Sequence, residues 1–324
     1  MRSRLSVVNP IMKTPYMFVS RIFPAVLLLL LTLFGCATVP VGGPPPPTEV
    51  KEVPPPPTAV KAVPPKIALV LGGGAARGFA HVGVIKVLEA QGIVPDIVVG
   101  TSAGSFVGAL YAAGYSGTDL ERVALQFDEW QIGDWSLPDR GIFKGEALQN
   151  FINRAVQDRP LEKLNRVFAV VATDLQSGKQ IVFRRGNSGM AVRASSSLPG
   201  IFQPVSINGR EYVDGGLVSP VPVHVAKTLG ATLIIAVDVS SKPRYGKTGD
   251  TLDMLLQTFA IMGQAIASSE LPEADVVIRP DTSGLGLADF ADRQHAIQAG
   301  EKAALAAMPM IRQKIAAKSG IAAR

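Results

Sequence analysis

Two short apolar runs, each stopped by glycine and followed at once by helical periodicity, constrain this chain more than any other feature. Lys66 to Leu71 (Lys-Ile-Ala-Leu-Val-Leu) runs into Gly72-Gly73-Gly74, and Asp96 to Val99 runs into Gly100-Thr101-Ser102-Ala103-Gly104. A continuous apolar run of this length, without polar alternation, is what a parallel strand covered on both faces requires. Phe79 to Gln91 then places Val82, Ile85, Leu88 and Glu89 at helical spacing and stops at Gly92. Phe106 to Ala113 predicts a second helix. Further strands are expected at 167–173, 180–183, 211–213, 232–239 and 275–279. Helices are expected at 119–127, 146–156, 221–229, 252–268 and 292–317. Strands separated by helices predict one α/β domain, about residues 66–320, with a mostly parallel central sheet and helices on both faces.

The first 65 residues read differently. Residues 22–34 form an apolar run preceded by Arg2, Arg4, Lys13 and Arg21 and followed by Gly35-Cys36. A span needs roughly 17–25 apolar residues. A basic segment followed by a shorter apolar one describes an export signal, expected here over residues 1–35. Met12 and Met17 are in-frame alternatives to Met1 as the start. Leu33-Phe34-Gly35-Cys36 resembles the lipobox of bacterial lipoproteins, and Cys36 is the single cysteine. That resemblance implies cleavage before Cys36, thioether lipid attachment and N-acylation; Ala37 after the cysteine implies an outer-membrane destination facing the periplasm. Two or more acyl chains anchor a protein stably. Residues 37–65 hold 11 of the 25 prolines in an imperfect ten-residue repeat. They predict, with Cys36, a polyproline II stalk over 36–65, rising ~3.1 Å per residue.

Composition removes several classes of function. One cysteine forms no internal disulfide, and three histidines leave little for a multi-histidine metal site, so no metal or other cofactor is expected. The net charge is +6, but the first 35 residues supply +4 of it. The remainder is nearly neutral and offers no footprint for nucleic acid.

Three motifs carry the chemistry. Gly100-Thr101-Ser102-Ala103-Gly104 is a G-x-S-x-G between a strand and a helix, the context in which such a serine serves as a nucleophile. The three glycines at 72–74, with Ala75, Ala76, Arg77 and Gly78, expose backbone N–H groups at a helix start. A dinucleotide fingerprint does not fit the spacing, since Arg77 or Ala75 stands where glycine is needed. A phosphate-binding P-loop lacks its Gly-Lys-Ser/Thr. An oxyanion hole needs only donors beside a nucleophile, and two adjacent parallel strands would bring this loop to Ser102. Asp214-Gly215-Gly216 follows a short strand; alone it reads first as an aspartate in a tight turn.

Taken together the set resembles the patatin-like phospholipases over most of residues 66–280. The resemblance also includes Arg77 through Val84, Ala172-Thr173-Asp174-Leu175, Arg193 through Gly200, and Pro220-Val221-Pro222-Val223. It implies a patatin-like three-layer sandwich and a lipid acyl hydrolase with a Ser102–Asp214 dyad. The oxyanion donors implied come from around Gly73, Gly74, Ala75 and Arg77; Gly100, Gly104, Gly215 and Gly216 shape the turns. It further implies a lipid or acyl-ester substrate and a membrane-tethered protein. Ala75 departs from the family's usual glycine.

Other arrangements remain open at this level. Triads in the order Ser-acid-His can be written as Ser102, Asp214, His224 or Ser102, Asp238, His295; His81 sits at core spacing with Ile85 and Leu88. A non-catalytic lipid- or partner-binding lipoprotein is the alternative from another class. Asp174 and Asp238 are expected to brace loops. Arg77 and Arg193 would orient the glycine loop or meet a phosphate head group. Ser195-Ser196-Ser197 reads as a capping and turn cluster. Trp130, Ile132, Trp135 and Phe143 read as core, or as a lid.

Overall fold

The computed structural model describes residues 43, 64–127, 134, 140–240, 249, 251–285 and 290–319. The signal segment, Cys36, the stalk repeat and the stretch with Trp130, Ile132 and Trp135 lie outside the described residues.

Eight strands form one sheet: β1 (Ile67–Leu71), β2 (Ile97–Thr101), β3 (Val167–Asp174), β4 (Gln180–Phe183), β5 (Val205–Ile207), β6 (Arg210–Asp214), β7 (Leu233–Val237) and β8 (Val276–Ile278). β3, β2, β1, β7 and β8 are parallel neighbours in that order; β4 and β6 pair antiparallel with β3, and β5 with β6. The helices are α1 (Ala80–Ala90), α2 (Ala103–Ala112), α3 (Gly117–Gln126), α4 (Glu146–Ala155), α5 (Ser188–Ser196), α6 (Val223–Thr228), α7 (Thr251–Glu270) and α8 (Arg293–Ser319).

The apolar strands earn their place by period-two alternation between two cores. Leu69, Leu71, Val98, Phe168, Val170, Leu233 and Ile235 point to one face, where α1, α2, α3, α4, α5 and α8 cover them. Ala68, Val70, Ile97, Val99, Ala169, Val171, Ile234 and Ala236 point to the other, under α6 and the end of α7. Fully burying side chains of the Val, Leu or Ile kind is worth ~1.5–3 kcal/mol each, so this double coverage is what fixes the central strands. The expected three-layer α/β architecture is the one observed.

The register of β3 explains how the two halves of the sheet meet. Val171 pairs with Thr101 of β2 on one edge and with Val182 of β4 on the other. Ala172 pairs with Asp214 of β6 and with Ile181 of β4. β4 occupies one edge at both positions, so β2 and β6 share the other. They approach head-on: β2 ends at Thr101 where β6, running the opposite way, ends at Asp214.

The sequence does not announce β5, and two helical segments differ from the sequence expectation. The Ser195-Ser196-Ser197 cluster, read as a turn, is mostly the last turn of α5, with only Ser197 beyond its end. Its capping residue is Asn187, which accepts a bond from the Met190 amide at 2.7 Å. Helix propensity hides such a segment, because serine competes for backbone bonds, but burial of Ala191, Val192 and Ala194 overrides it. The helix expected from Phe106 begins three residues earlier, at Ala103, immediately after the candidate nucleophile.

Candidate active site

Ser102 stands between the end of β2 and the start of α2 with φ 52° and ψ −123°. For a non-glycine residue this is a sparsely populated conformation, of a kind costing about 1–3 kcal/mol and persisting only where the surroundings enforce it. The enforcement is visible. A Cβ on Gly104 would come within 2.0 Å of the Leu71 carbonyl oxygen, and one on Gly100 within 2.5 Å of the Gly104 oxygen. Both glycines are therefore demanded by close backbone approach. The Ser102 carbonyl accepts from the Ser105 amide (2.8 Å) and hydroxyl (2.7 Å). Its amide donates to Ser195 Oγ at 2.8 Å, and that hydroxyl donates to the Val171 carbonyl at 2.5 Å. Ser195 is fully buried. It thus pins the turn to β3, a role the sequence reading missed because one serine in a run of three gives no sign of which is inside.

Asp214 arrives at the same place from β6. Its amide donates to Ser197 O at 3.0 Å and its carbonyl accepts from Thr173 Oγ1 at 2.8 Å. Its carboxylate is 5% exposed and receives the Gly216 amide at 2.7 Å. Burial pushes its pKa up from 3.8 to about 6; the hydrogen bonds from the Ser102 hydroxyl and the Gly216 amide pull it part of the way back. Ser102 and Asp214 are thus neighbours, with the carboxylate dry and the serine half-exposed. Gly215 lies flat on β3, where a Cβ would meet the Val171 oxygen at 2.3 Å.

The glycine loop passes over the serine. A Cβ on Gly73 would lie 3.3 Å from Ser102 Cβ. The structure corrects the expectation that Gly73 supplies an oxyanion donor: its amide is committed to Pro220 O at 2.9 Å, as Gly72's is to Val237 O at 3.0 Å. The amides of Gly74 and Ala75 have no acceptor among the described residues. Ala75 takes φ 49°, the left-handed value glycine would accept without cost. As an oxyanion donor Arg77 is corrected too, since its amide is committed to Gly74 O at 3.1 Å. Its buried side chain donates through Nε to the same oxygen at 3.3 Å, which orients the glycine loop, one of the roles expected of it.

The histidines sit elsewhere in function. His81 is buried, with Nε2 2.8 Å from Gly72 O. Burial outweighs that bond and lowers its pKa to about 4, so it is neutral and holds the glycine loop. His224 and His295 are exposed and pair with Glu273 (3.5 Å) and Asp292 (3.7 Å). Asp238 meets Arg279 at 3.5 Å and accepts from Ser240. Neither histidine-based triad is assembled among the described residues. Asp174, buried, binds Ser177 and Arg210 and closes a turn. Arg193 donates to Lys144 O through Nε and Nη2 (3.1 and 2.7 Å), tying α5 to the start of α4. Phe143 packs against Phe202, ring centroids 5.5 Å apart. No three His, Cys, Asp or Glu side chains converge as metal ligands among the described residues.

A mostly parallel sheet that ends one strand in a serine on a strained strand–helix turn, next to a buried carboxylate, is the context in which a G-x-S-x-G serine can serve as a nucleophile. The family model for patatin-like phospholipases matches residues 69–227. An uncharacterized NTE family protein of Mycobacterium tuberculosis is 31% identical over 269 residues, covering 75% of this chain and 46% of its own. Patatin-like phospholipase domain-containing protein 6 of Homo sapiens is 35% identical over 224 residues, covering 66% of this chain and 16% of its own. The chain therefore spans less than half the length of these curated relatives. Among solved structures, VipD from Legionella pneumophila superposes with a TM-score of 0.55 over 78% of this chain and 68% of its own, at 14% identity, a likeness of fold. The chain belongs to the patatin-like phospholipase family.

Proposed function

We propose that the chain is a serine acyl hydrolase of the lipase or phospholipase A kind, working through Ser102 and Asp214. The observation that carries the reading is the junction of β2 and β6. It sets a half-exposed serine on a strained turn against a dry carboxylate whose pKa is held near 6.

A serine hydroxyl attacks only as its proton leaves. An ordinary aspartate is a weak base; one raised to about 6 is better matched and is still ionised at neutral pH. As Ser102 Oγ bonds to the ester carbonyl carbon, its proton passes to the Asp214 carboxylate. The carbonyl π-electrons move onto oxygen, which the Gly74 and Ala75 amides receive; each such donor is worth a few kcal/mol, about 2.7–4 in measured cases. Collapse of the tetrahedral intermediate breaks the ester C–O bond, and the leaving alcohol takes the proton from Asp214. Water then attacks the acyl-serine with Asp214 again as base, releasing the carboxylic acid and restoring Ser102.

Cys36 lipidation, with the proline-rich segment as a stalk, would tether this domain to a bacterial membrane, on the outer membrane's periplasmic face by the residue after the cysteine. The lipobox-like sequence supports this.

The test is labelling of the full chain with a fluorophosphonate, followed by peptide mass spectrometry. Modification at Ser102, lost in Ser102→Ala and weakened in Asp214→Asn, is the expected result. A folded wild-type protein that neither labels nor hydrolyses any acyl ester would overturn it in favour of a non-catalytic lipid-binding lipoprotein.

A further inference from the structure

α7 is an anomaly of amphipathicity. Its inward side, Leu255, Leu256, Phe259, Ile266 and Ala267, is apolar and half-buried or buried, as a packed helix requires. Its outward side is Met254, Thr258, Ile261, Met262, Ala265 and Ser269, spaced i, i+4, i+7, i+8, i+11, i+15 and all exposed. Met254 is 60% exposed, Ile261 52% and Met262 45%. From Met254 to Ser269 the helix carries no charge. A surface helix ordinarily sets charges opposite its buried stripe; here exposed Met254, Ile261 and Met262 stand instead among the uncharged Thr258, Gln264, Ser268 and Ser269. Residues of this helix do not span a bilayer: no described helix is long and apolar enough to do so.

Its position links the anomaly to the site. Leu255 packs on Gly200, where a Cβ would come within 2.9 Å of Leu255 Cδ2. Gly200 follows the Ser197 that holds Asp214's amide. The helix also packs against the turn Gly215–Leu217, directly after Asp214. At its far end Glu270 accepts from Ser219 Oγ at 2.6 Å, and Ser219 O accepts from Thr101 Oγ1 at 2.9 Å, one residue before Ser102. The apolar outward face is therefore mounted on the loops that position both members of the dyad.

We propose that the outward face of α7 is the surface by which this domain lies on a lipid aggregate, bringing the dyad to the acyl esters in it. The occupant is chosen by two observations, the uncharged outward side and its mounting on the site's own loops, together with the proposed tether at the lipobox-like Cys36, which would keep the domain within stalk length of a bilayer. Helices that bind lipid surfaces bury their apolar face ~5–10 Å into the boundary between head groups and acyl chains. Here attraction is apolar, so binding is insensitive to salt. The inference rests on the lipid-ester reading for its purpose, but its test is separable from it.

The single cysteine makes the experiment direct. In full-length Cys36→Ser, Ile261→Cys and, separately, Leu305→Cys are labelled with an environment-sensitive fluorophore. Leu305 is equally exposed, at 55%, on α8. Adding phosphatidylcholine vesicles should blue-shift the label at 261 and leave that at 305 unchanged, at low and high salt alike. In a second arm, Met254→Glu/Ile261→Glu/Met262→Glu should lower hydrolysis of vesicle lipid by about tenfold or more, since a charge in the boundary is costly. It should leave hydrolysis of a short, water-soluble ester within about twofold, which also shows that the variant is folded. No shift at 261, equal shifts at 261 and 305, or equal losses on both substrates would overturn the proposal. A shift at 261 that follows protein concentration without vesicles would overturn it in favour of self-association. A vesicle-induced shift at 261 alone, with a wild type that cleaves neither substrate, would refute the hydrolase reading and leave the docking surface standing.

Discussion

Replacing Asp214 by asparagine should abolish activity and yet stabilise the protein at alkaline pH. The amide side chain would keep a carbonyl oxygen for the Gly216 amide and the Ser102 hydroxyl but no longer requires a buried charge. The native carboxyl titrates at about 6, against 3.8 ordinarily. Between these values the folded state binds more protons than the unfolded state, so stability falls as pH rises through the window and stays low above it. At ~1.36 kcal/mol per pH unit, the full cost of the ionised Asp214 is about 3 kcal/mol above pH 6. For a domain of this size ~1 kcal/mol moves Tm by about 2–4 °C. Asp214→Asn should therefore raise Tm by roughly 6–12 °C at pH 8 and by little at pH 4, where the native carboxyl is already neutral. Thermal melts of both proteins across pH 4–8 isolate the effect, because other titrating groups cancel in the difference. A short soluble ester supplies the activity measurement: the wild-type rate should climb through pH 6 and the variant should show none of it. A variant less stable than wild type at pH 8, or a Tm difference that does not vary with pH, would refute the claim that Asp214 is a desolvated base.

Ser195→Ala removes the acceptor of the Ser102 amide and the donor to Val171 O; soluble-ester kcat/KM should fall by about tenfold or more, and the unfolding free energy in denaturant should fall by the ~1–3 kcal/mol of an orphaned buried amide. Gly104→Ala forces a Cβ to 2.0 Å from Leu71 O, and should yield no folded protein by circular dichroism. Ala75→Gly relieves φ 49° at the expense of extra freedom in the unfolded chain, so activity should persist and denaturant stability should change by less than about 1 kcal/mol. Glu270, whose pKa burial raises from 4.5 to about 7, costs stability as pH rises from 4.5 through 7; Glu270→Gln should melt higher than wild type at pH 8, with the gap closing at pH 4.

The parts of this molecule that the sequence made legible are those fixed by burial on both faces. β1 and β2 announce themselves as apolar runs, and the Gly100–Gly104 motif reports its turn because no larger residue fits there. Asp214 is less legible. Nothing in Glu211 through Asp214 says that this strand runs antiparallel or ends opposite Thr101; that depends on its pairing with Ala172 and Thr173 of β3, and only family resemblance singled the residue out. Hydrogen-bond allocation is less legible still. Gly73 and Gly74 are identical in sequence, but Pro220 O takes the amide of one and leaves the other without an acceptor among the described residues. Ser195 was hidden by its neighbours Ser196 and Ser197, since its importance lies in being inside the protein.

The head-on junction of β2 and β6 has a consequence for how the molecule comes into being. Ser102 and its base lie 112 positions apart along the chain, and the carboxylate takes its place only once the late-synthesised β6 docks on β3. A nascent or partly folded chain carries the serine without its proton acceptor. On the proposed reading the chain would thus be inert during synthesis, armed only when its sheet is complete.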